Sequence, residues 1–341
     1  MNINLPLVSI IIVTRNRFRD LCELIDSVFH QTYNNYEVIF VDNNSTDGSA
    51  DYAKSKYPAI KLIRNKGNYG YAKGNNIGIK QSKGEYVLVL NPDTMVEKTW
   101  LAELTKAAKS NDAAAYQPKI LNFTHRDLID TAHPRIHYTG LAWGDIYKKD
   151  AGFSTPTEIS FGSGTAVMIK RSVLEEIGML DEDLFMYHED VDLGWRMLMA
   201  GYKILFIPTA VMYHKYAFSR NKKKNYFLER NRFIVLLKND QRKTLFLILP
   251  ALVLVELGTL AYAIRERWFL NKIRGYKDVI RNLDRILQKR QKIQHMRKVN
   301  DSEVTQHFTA TIDAEVIRNP VIRNFFNPLL SVYWKIIKRY V

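Results

Sequence analysis

The chain has 341 residues, of which 46% are hydrophobic and 25% charged, and a formal net charge of +15. This composition is typical of a globular protein with room for more than one structural unit, and it excludes a disordered chain. The positive charge predicts an anionic partner: a phosphorylated small molecule, an acidic membrane surface or a nucleic acid. A single cysteine, Cys22, excludes an internal disulfide bond and suits a reducing compartment. We expect no signal peptide, because the apolar run 7–13 is short and leads into polar residues.

Apolar strand patterns alternate with helical patterns over the first ninety residues. The predicted strands are residues 8–14, 37–42, 60–64 and 86–90. The predicted helices lie at 21–29, 48–56 and 70–82. Strands and helices that alternate at this spacing predict βαβ units in a doubly wound α/β sheet.

Each of these strands is followed by a polar segment rich in Asp and Asn. The four segments are 14–16, 42–48, 65–70 and 91–94. Ligands of such sheets bind beyond the carboxyl ends of the strands, so the four segments together predict a ligand site. The absence of a Gly-x-Gly-x-x-Gly pattern and of a Walker loop disfavours a dinucleotide or P-loop site. Asp93 suits a Mg²⁺ or Mn²⁺ ion shared with a diphosphate, and a plain turn is the alternative.

Four motifs occupy these positions in order. They are Val8-Ser-Ile-Ile-Ile-Val-Thr-Arg-Asn, Val41-Asp-Asn-Asn-Ser-Thr-Asp-Gly48, Asn68-Tyr-Gly-Tyr-Ala-Lys-Gly-Asn-Asn-Ile-Gly78 and Leu90-Asn-Pro-Asp-Thr94. This set resembles family 2 glycosyltransferases of the GT-A (Rossmann-like) fold, and most closely the rhamnosyltransferase-like subgroup. With a later Glu189-Asp190 pair, the resemblance extends over residues 7–216.

The resemblance implies roles for residues on both sides of the site. It implies an inverting transfer of a sugar from a nucleotide-diphospho-sugar, dTDP-rhamnose or a UDP-sugar above all, to a hydroxyl of a glycan or lipid-linked glycan. Cell-surface polysaccharide or glycoconjugate assembly is the implied context. The implied donor-binding residues are Thr14, Asn16, Asp42 and Asn44 at the base and ribose, and Asn68, Lys73 and Asn76 along the donor. Asp93 is the implied Mg²⁺ or Mn²⁺ ligand, and Asn91 replaces the first Asp of the family's Asp-x-Asp motif at the ribose.

The next part of the chain predicts the acceptor half. We predict helices at 98–110 and 170–177 and strands at 113–120, 161–169, 203–207 and 210–212. Periodicity fades over 121–160, which predicts either a loop over the acceptor or a surface excursion.

The acidic stretch His188-Glu-Asp-Val-Asp192 lies between apolar segments. Carboxylates in a first helical turn suit the helix dipole, and Asp192 can pair with Arg196, so a solvated helix explains part of the pattern. Glycosyl transfer requires a carboxylate base. The resemblance assigns that role to this pair: Asp190 is the base, and Glu189 supports it or contacts the acceptor. His214, at the end of a strand, is either a plain hydrogen-bonding residue or a second metal ligand, as in related enzymes.

The C-terminal third is basic and partly apolar. The basic segments 220–224 and 229–232 face a donor diphosphate, lipid phosphates or solvent. Residues 245–264 are apolar enough to cross a bilayer, but Pro250 and Glu256 favour a re-entrant or interfacial helix pair broken near Pro250, with a buried core helix as the alternative. Twelve Lys and Arg against three Asp and Glu between residues 265 and 298 predict contact with anionic lipid. Residues 325–341 predict another surface helix.

These patterns predict a GT-A domain at 1–238, with a nucleotide-sugar half at 1–94 and an acceptor half at 95–238. A hydrophobic membrane-associated segment at 239–272 and a basic helical region at 273–341 follow. The predicted location is the cytoplasmic face of the cell membrane. The alternative is a membrane-attached protein that binds nucleotide-sugars without turnover. Nucleic-acid binding is disfavoured, because the basic residues adjoin an apolar segment.

Overall fold

The computed structural model describes residues 5–145, 148–150, 153–215, 223–313 and 320–341. Within these ranges a mixed β-sheet is covered by helices on both faces, and a group of helices follows after residue 223.

The amino-terminal half is an α/β unit whose parallel strands run in the order β3-β2-β1-β4. Its elements are β1 (Val8–Thr14), α1 (Phe18–Phe29), β2 (Tyr36–Asp42), α2 (Ser49–Lys56), β3 (Lys61–Arg64), α3 (Gly70–Lys80) and β4 (Tyr86–Leu90). All residues of β1 and β4 are buried, because helices pack on both faces of the sheet. The predicted doubly wound arrangement is confirmed.

Helix α3 packs tightly on this sheet. A Cβ atom on Gly74 would lie 2.6 Å from a methyl of Val13, and one on Gly78 would lie 2.4 Å from Ile11. Only glycine permits this approach. The side chain of Asn43 then reaches the start of α3 and donates to the Gly70 carbonyl at 2.9 Å. The start of α3 is thereby held at the carboxyl edge of the sheet.

The second half extends the sheet with both antiparallel and parallel strand pairs. Its elements are β5 (Thr94–Val96), α4 (Trp100–Ser110), β6 (Ala115–Asn122), β7 (Ile129–His137), β8 (Ala142–Asp145), β9 (Thr157–Glu158), β10 (Ala166–Lys170), α5 (Arg171–Ile177), α6 (Glu189–Met199) and β11 (Ile204–His214). The predicted strands 203–207 and 210–212 are one strand, β11, whose register against β6 shifts between Ile207 and Val211. Beyond this bulge β11 continues until His214 lies opposite Thr94.

Part of the stretch 121–160 belongs to the sheet. Strands β7 and β8 pair with each other, and β7 also pairs with β6. Ile129, Ala132 and Ile136 are fully buried. A surface excursion is therefore the wrong description of this part. The sequence did not predict strands β7 and β8 because polar residues interrupt their apolar pattern.

The remaining described residues are mostly helical. They form α7 (Lys224–Asn239), α8 (Arg242–Arg265), α9 (Phe269–Arg281), α10 (Leu283–His295), α11 (Asp301–Val304), the short strand β12 (Phe308–Thr309) and α12 (Asn327–Ile337). Helix α8 continues through Pro250, so the predicted break there is wrong. Pro250 lies on the exposed face, where its ring and the freed carbonyl do not disturb packing.

A third apolar cluster joins these helices to the sheet-bearing part. It includes Trp195 of α6, Leu236 of α7, Ile248 of α8 and Trp334 of α12. The predicted boundary between residues 238 and 239 crosses this shared core. The domain division itself stays a prediction.

Candidate active site

The carboxyl ends of β1 and β4 open into a cleft of about 530 Å³. Its other walls come from residues 161–165, 186–191 and the end of β11. Seven of the predicted site residues line it: Thr14, Asn68, Asn91, Asp93, Glu189, Asp190 and His214. The fold therefore brings residues from distant parts of the sequence to the edge of the sheet where α/β proteins bind ligands.

Three buried side-chain atoms of this cleft have no hydrogen-bond partner among the described residues. They are Thr14 Oγ1, His188 Nε2 and Glu189 Oε2. Their residues are 2%, 7% and 5% exposed, respectively. Buried polar atoms are nearly always paired, so unpaired ones in residues that line a cleft are candidate contacts for a bound polar group. His188 was not predicted as a site residue.

At the end of β2 the side chains of Asp42, Asn43 and Asn44 make different contacts. Asp42 is buried, and its carboxylate accepts from the backbone N–H of Ser45 at 3.1 Å, which shapes the turn. Asn43 lines the cleft, whereas the predicted Asn44 is exposed in a left-handed conformation and does not. The residue that lines the cleft is one position before the predicted Asn44, because side chains in a turn do not alternate between two faces as they do in a strand.

Asn16 and Lys73 lie outside the cleft lining. The side-chain oxygen of Asn16 accepts from the backbone of Thr46 at 2.8 Å and so joins the first two strand ends. Lys73 is exposed, and its ammonium group lies 4.5 Å from the ring centroid of Tyr69. Both residues are close in sequence to residues that line the cleft, but neither side chain is part of its wall.

Asn76 is placed differently from its prediction along the donor. It is buried, and its amide nitrogen donates to the Leu180 carbonyl at 2.9 Å and to Glu182 at 3.1 Å. Its side-chain oxygen accepts from the backbone of Leu180 at 3.1 Å. Both polar atoms are therefore used to hold residues 180–182, and the donor contact of Asn76 stays a prediction.

Asp93 and His214 meet at the floor of the cleft. His214 Nε2 lies 3.4 Å from Asp93 Oδ1, and His214 Nδ1 lies 2.8 Å from Asp130 Oδ2. Burial by itself would lower the pKa of His214, but its hydrogen bonds to Asp130 and Asp93 outweigh burial and raise the pKa to about 9. Burial likewise opposes ionisation of Asp93, and the hydrogen bond and charge of His214 lower its pKa. Asp130 was missed by sequence reasoning because it stands in the stretch of weak periodicity.

This arrangement fits a divalent metal ion only in part. Among the described residues no group of three or more His, Cys, Asp and Glu is arranged to hold a metal. Asp93 and His214 offer two ligand atoms, and the Asp130 contact orients the imidazole as carboxylates do beside metal-bound histidines. Asn91 lines the cleft next to Asp93 but adds no charge. Oxygen atoms of a bound anion would have to complete the coordination.

Glu189 and Asp190 begin α6 on the opposite side of the cleft. Asp190 accepts from the backbone N–H groups of Gly164 at 2.9 Å and Val191 at 2.8 Å. Burial raises the pKa of Asp190 despite these bonds. Burial and the neighbouring charge of Asp190 raise the pKa of Glu189 well above its usual value. The pair therefore combines a fixed carboxylate with a carboxyl group that keeps its proton more strongly, which suits proton transfer.

The turn before α6 is held by α7. Phe185, Tyr187 and His188 all have left-handed backbone angles, with φ of 64°, 66° and 66°. The fully buried Asn231 donates to the carbonyls of Leu184 at 2.9 Å, Met186 at 3.0 Å and Tyr187 at 2.6 Å. These bonds stabilise an otherwise unfavourable backbone that aims residues 188–190 into the cleft.

The predicted basic segment 229–232 is consequently not a surface patch. Arg232 is 1% exposed and forms ion pairs with Glu229 and Glu256. A role for it at the donor diphosphate or lipid phosphates is wrong, because the guanidinium is already neutralised inside the protein. Residues 220–222 of the other basic segment lie outside the described residues.

Asp192 belongs to a buried ion network. It pairs with Arg196 at 2.9 Å and with Lys238 of α7 at 2.9 Å, and Lys238 also pairs with Asp181. Asp192 is fully buried and does not line the cleft. Its task is to attach α6 to α7, which agrees with the predicted pairing of Asp192 with Arg196.

Comparisons with known proteins agree with this geometry. Residues 9–178 match the family model "Glycosyl transferase family 2". The N-acetylglucosaminyl-diphospho-decaprenol L-rhamnosyltransferase of Mycobacterium tuberculosis is 28% identical over 208 residues, which cover 52% of this chain and 66% of that protein. The chain thus spans slightly less than two thirds of this relative.

Solved structures share the fold. GalNAc-T7 with UDP, GalNAc and Mn²⁺ has a TM-score of 0.58 at 20% identity, covering 70% of this chain and 48% of that one. TarS 1-349 of S. aureus in complex with UDP has a TM-score of 0.54 at 15% identity, covering 97% of this chain and 90% of that one. The chain therefore belongs to glycosyltransferase family 2 and has the GT-A fold.

Proposed function

We propose that this chain is an inverting glycosyltransferase. It moves a sugar from a nucleotide-diphospho-sugar to a hydroxyl of a glycan or lipid-linked glycan, in cell-surface polysaccharide or glycoconjugate assembly. The observation that carries the proposal is one cleft whose lining brings together the Asp93–His214 pair, the Glu189–Asp190 pair and three residues with unpaired buried atoms, Thr14, His188 and Glu189. Membership of family 2 supports it.

In the proposed reaction Asp190 is the base. It takes the proton of the acceptor hydroxyl while that oxygen forms a bond to the anomeric carbon. The bond from this carbon to the diphosphate breaks on the opposite face, and the nucleoside diphosphate leaves. The N–H groups of Gly164 and Val191 keep Asp190 in place. Glu189 is next to it and supports it or binds the acceptor.

We propose that Asp93 and His214 hold Mg²⁺ or Mn²⁺. Such an ion neutralises the charge that develops on a diphosphate leaving group. The proposal is supported by the carboxylate–imidazole pair and by the Mn²⁺ in GalNAc-T7.

The donor is proposed to be dTDP-rhamnose or a UDP-sugar. The named activity of the mycobacterial relative supports the former, and the UDP bound to two fold neighbours supports the latter. Thr14, Asn68 and Asn91 are the proposed wall contacts, while Asp42 and Asn16 hold the turns beneath them. Asn44 and Lys73 are exposed outside the cleft lining and stay predictions.

The proposed place of action is the cytoplasmic face of the cell membrane, with the C-terminal region against anionic lipid. Among the described residues α8 is the one helix long and apolar enough to cross a bilayer. A lipid-linked acceptor, as named for the mycobacterial relative, would be reached there.

The test is a panel of dTDP-, UDP- and GDP-sugars with Mn²⁺, measured by calorimetry and by slow donor hydrolysis. We expect at least one donor to bind and the binding to weaken when the metal is chelated. Binding of none, with or without metal, would overturn the proposal.

The alternative function is binding of nucleotide-sugars at the membrane without turnover. The substitution Asp190→Asn separates the two functions once the donor is known. An enzyme loses donor hydrolysis and transfer while it keeps donor affinity, whereas a binding protein has no turnover to lose.

A further inference from the structure

Helix α8 is apolar on the face that points away from the protein. Large side chains recur there at helical spacing and are between 49% and 76% exposed: Phe246, Leu249, Val253, Leu257 and Ile264. The opposite face, with Ile248, Ala251 and Val255, is buried. A helix with water outside normally has polar residues on its outer face, so an apolar partner is expected to cover this one.

A second apolar stripe lies on α12, eighty residues later in the sequence. Leu329, Val332 and Ile336 are 48%, 56% and 51% exposed, while Leu330 and Trp334 on the other face are buried. The two helices are in contact, because the hydroxyl of Tyr333 donates to the Leu247 carbonyl at 2.7 Å. The two helices that bear exposed apolar residues therefore adjoin each other.

Cations frame this surface. Exposed basic residues stand at both ends of α8 and along the C-terminal segment: Arg242, Lys243, Arg265, Arg267, Arg323, Lys335 and Arg339. One acidic residue, Glu266, is close to Arg265 at 3.4 Å. Apolar side chains surrounded by Lys and Arg are complementary to the acyl chains and headgroups of an anionic bilayer.

We propose that α8 and residues 320–341 form one docking surface that lies in the plane of an anionic bilayer, with α8 parallel to the membrane and not across it. This proposal rests on the membrane location proposed above and specifies its mode. The inner face of α8 has Glu256, which pairs with Arg232 of α7 and, at 3.0 Å, with Lys272 of α9. Crossing the bilayer would bring these charges into hydrocarbon or leave them unpaired.

The same contacts relate the membrane to the cleft. Helix α7 lies between them: Arg232 pairs with Glu256 of α8, Leu228 lines the cleft and Asn231 holds the turn before Asp190. The proposed bilayer surface is thus one helix away from the acceptor side. A separation of one helix suits an acceptor sugar that is attached to a lipid carrier.

The experiment is flotation of the full-length chain with phosphatidylcholine vesicles, with and without phosphatidylglycerol. Val253→Asp on α8 and Val332→Asp on α12 each introduce one charge into the surface. We expect each to reduce binding to the anionic vesicles by at least about tenfold. The matched control Ser110→Asp, on the exposed end of α4, should bind as the unchanged chain does.

Two results would overturn the proposal. Binding that Val332→Asp leaves unchanged and that resists alkaline extraction would mean that α8 spans the bilayer alone. No binding of the unchanged chain to either vesicle would mean that another apolar partner covers the surface. Donor binding in solution, measured on the same variants, shows that they fold, and it keeps a failure of this proposal distinct from a failure of the proposed activity.

Discussion

Asp130 determines the orientation of His214. Its carboxylate engages Nδ1 at 2.8 Å, so Nε2 is the nitrogen left beside Asp93. No motif marks Asp130 in the sequence. Its contribution comes from β7, which places it next to the end of β11. The site therefore includes buried residues such as Asp130 that orient the residues that would contact a ligand.

We expect Asp130→Asn to weaken divalent metal binding about 10- to 100-fold, because the amide holds the imidazole less firmly. The measurement is Mn²⁺ titration followed by electron paramagnetic resonance in the presence of UDP. Asp150→Asn, which removes an Asp that pairs with Lys119 at the surface, is the control. Equal metal affinity in both variants would show that Asp130 has no positioning role.

The two neighbouring carboxyl groups should respond differently to substitution. Burial raises both pKa values, but Glu189 also feels the charge of Asp190 and ionises last. Glutamine imitates protonated Glu189, so we expect Glu189→Gln to keep transfer within about tenfold and to leave the acidic limb of the kcat/KM profile in place. Asp190→Asn should lower the rate of transfer about 10²- to 10⁴-fold. The opposite ranking would make Glu189 the base.

Among the elements, α7 contributes most to the site without forming much of its wall. Its side chains bind the turn before α6 through Asn231, α6 itself through Lys238 and the membrane-facing helix α8 through Arg232. The sequence of α7 is polar and basic, which is typical of a surface helix. Its polar groups are buried because these three segments supply partners for them.

We expect Asn231→Ala to lower the free energy of unfolding by about 3 kcal/mol, because the carbonyls of Leu184, Met186 and Tyr187 lose the hydrogen bonds that this buried amide donates. The activity should fall further than the folded fraction does, since the left-handed turn before Asp190 relaxes. Urea unfolding and turnover are the measurements. Asn324→Ala, at an exposed position, should change neither quantity.

Lys238→Met should be strongly destabilising at neutral pH, by about 3 kcal/mol or more, because Asp181 and Asp192 remain buried with less compensation. In the native protein, burial opposes ionisation of Asp181, but the charges of Lys238 and Lys289 lower its pKa. The pKa of Asp192 is also lowered. Groups with a lowered pKa stabilise the fold above the unfolded-state pKa, and this contribution is lost as the pH falls.

The pH dependence of that variant follows with a definite sign. Without Lys238 the pKa values of both carboxyl groups rise, so protonation relieves the penalty as the pH decreases. The difference in unfolding free energy between the native chain and the variant should therefore shrink from pH 7 towards pH 4. A difference that grows on acidification would contradict the role of this network. Lys289→Met, at a half-buried position, should have a smaller effect.

At the scale of the whole molecule, the C-terminal helices share an apolar core with the sheet-bearing part. The third core cluster takes side chains from α6, α7, α8, α10 and α12. Burial shared in this way makes the stability of the cleft wall depend on residues far beyond the matched family region, which ends at residue 178.

We therefore expect a fragment of residues 1–238 to be unstable and to bind donor poorly. Its α7 would expose apolar residues such as Leu236, and Arg232 would lose Glu256. Thermal unfolding and calorimetry with the donor identified in the panel are the measurements, with the full chain as the reference. A fragment that melts cooperatively and binds donor as tightly as the full chain would show that 1–238 is an independent domain.

The α/β order, the four polar strand ends and, through their motifs, the family can be predicted from the sequence alone. These features are local: apolar runs and helical spacing depend on neighbouring residues alone. Through the resemblance the sequence also identified the cleft residues Thr14, Asp93, Asp190 and His214. Only the tertiary structure decided which turn residue faces the cleft, that Asn76 supports residues 180–182, and that Asp130, His188 and Asn231 belong to the site or its support. Those assignments depend on contacts between residues up to 106 positions apart, such as Asn76 with Glu182, and no local pattern contains them.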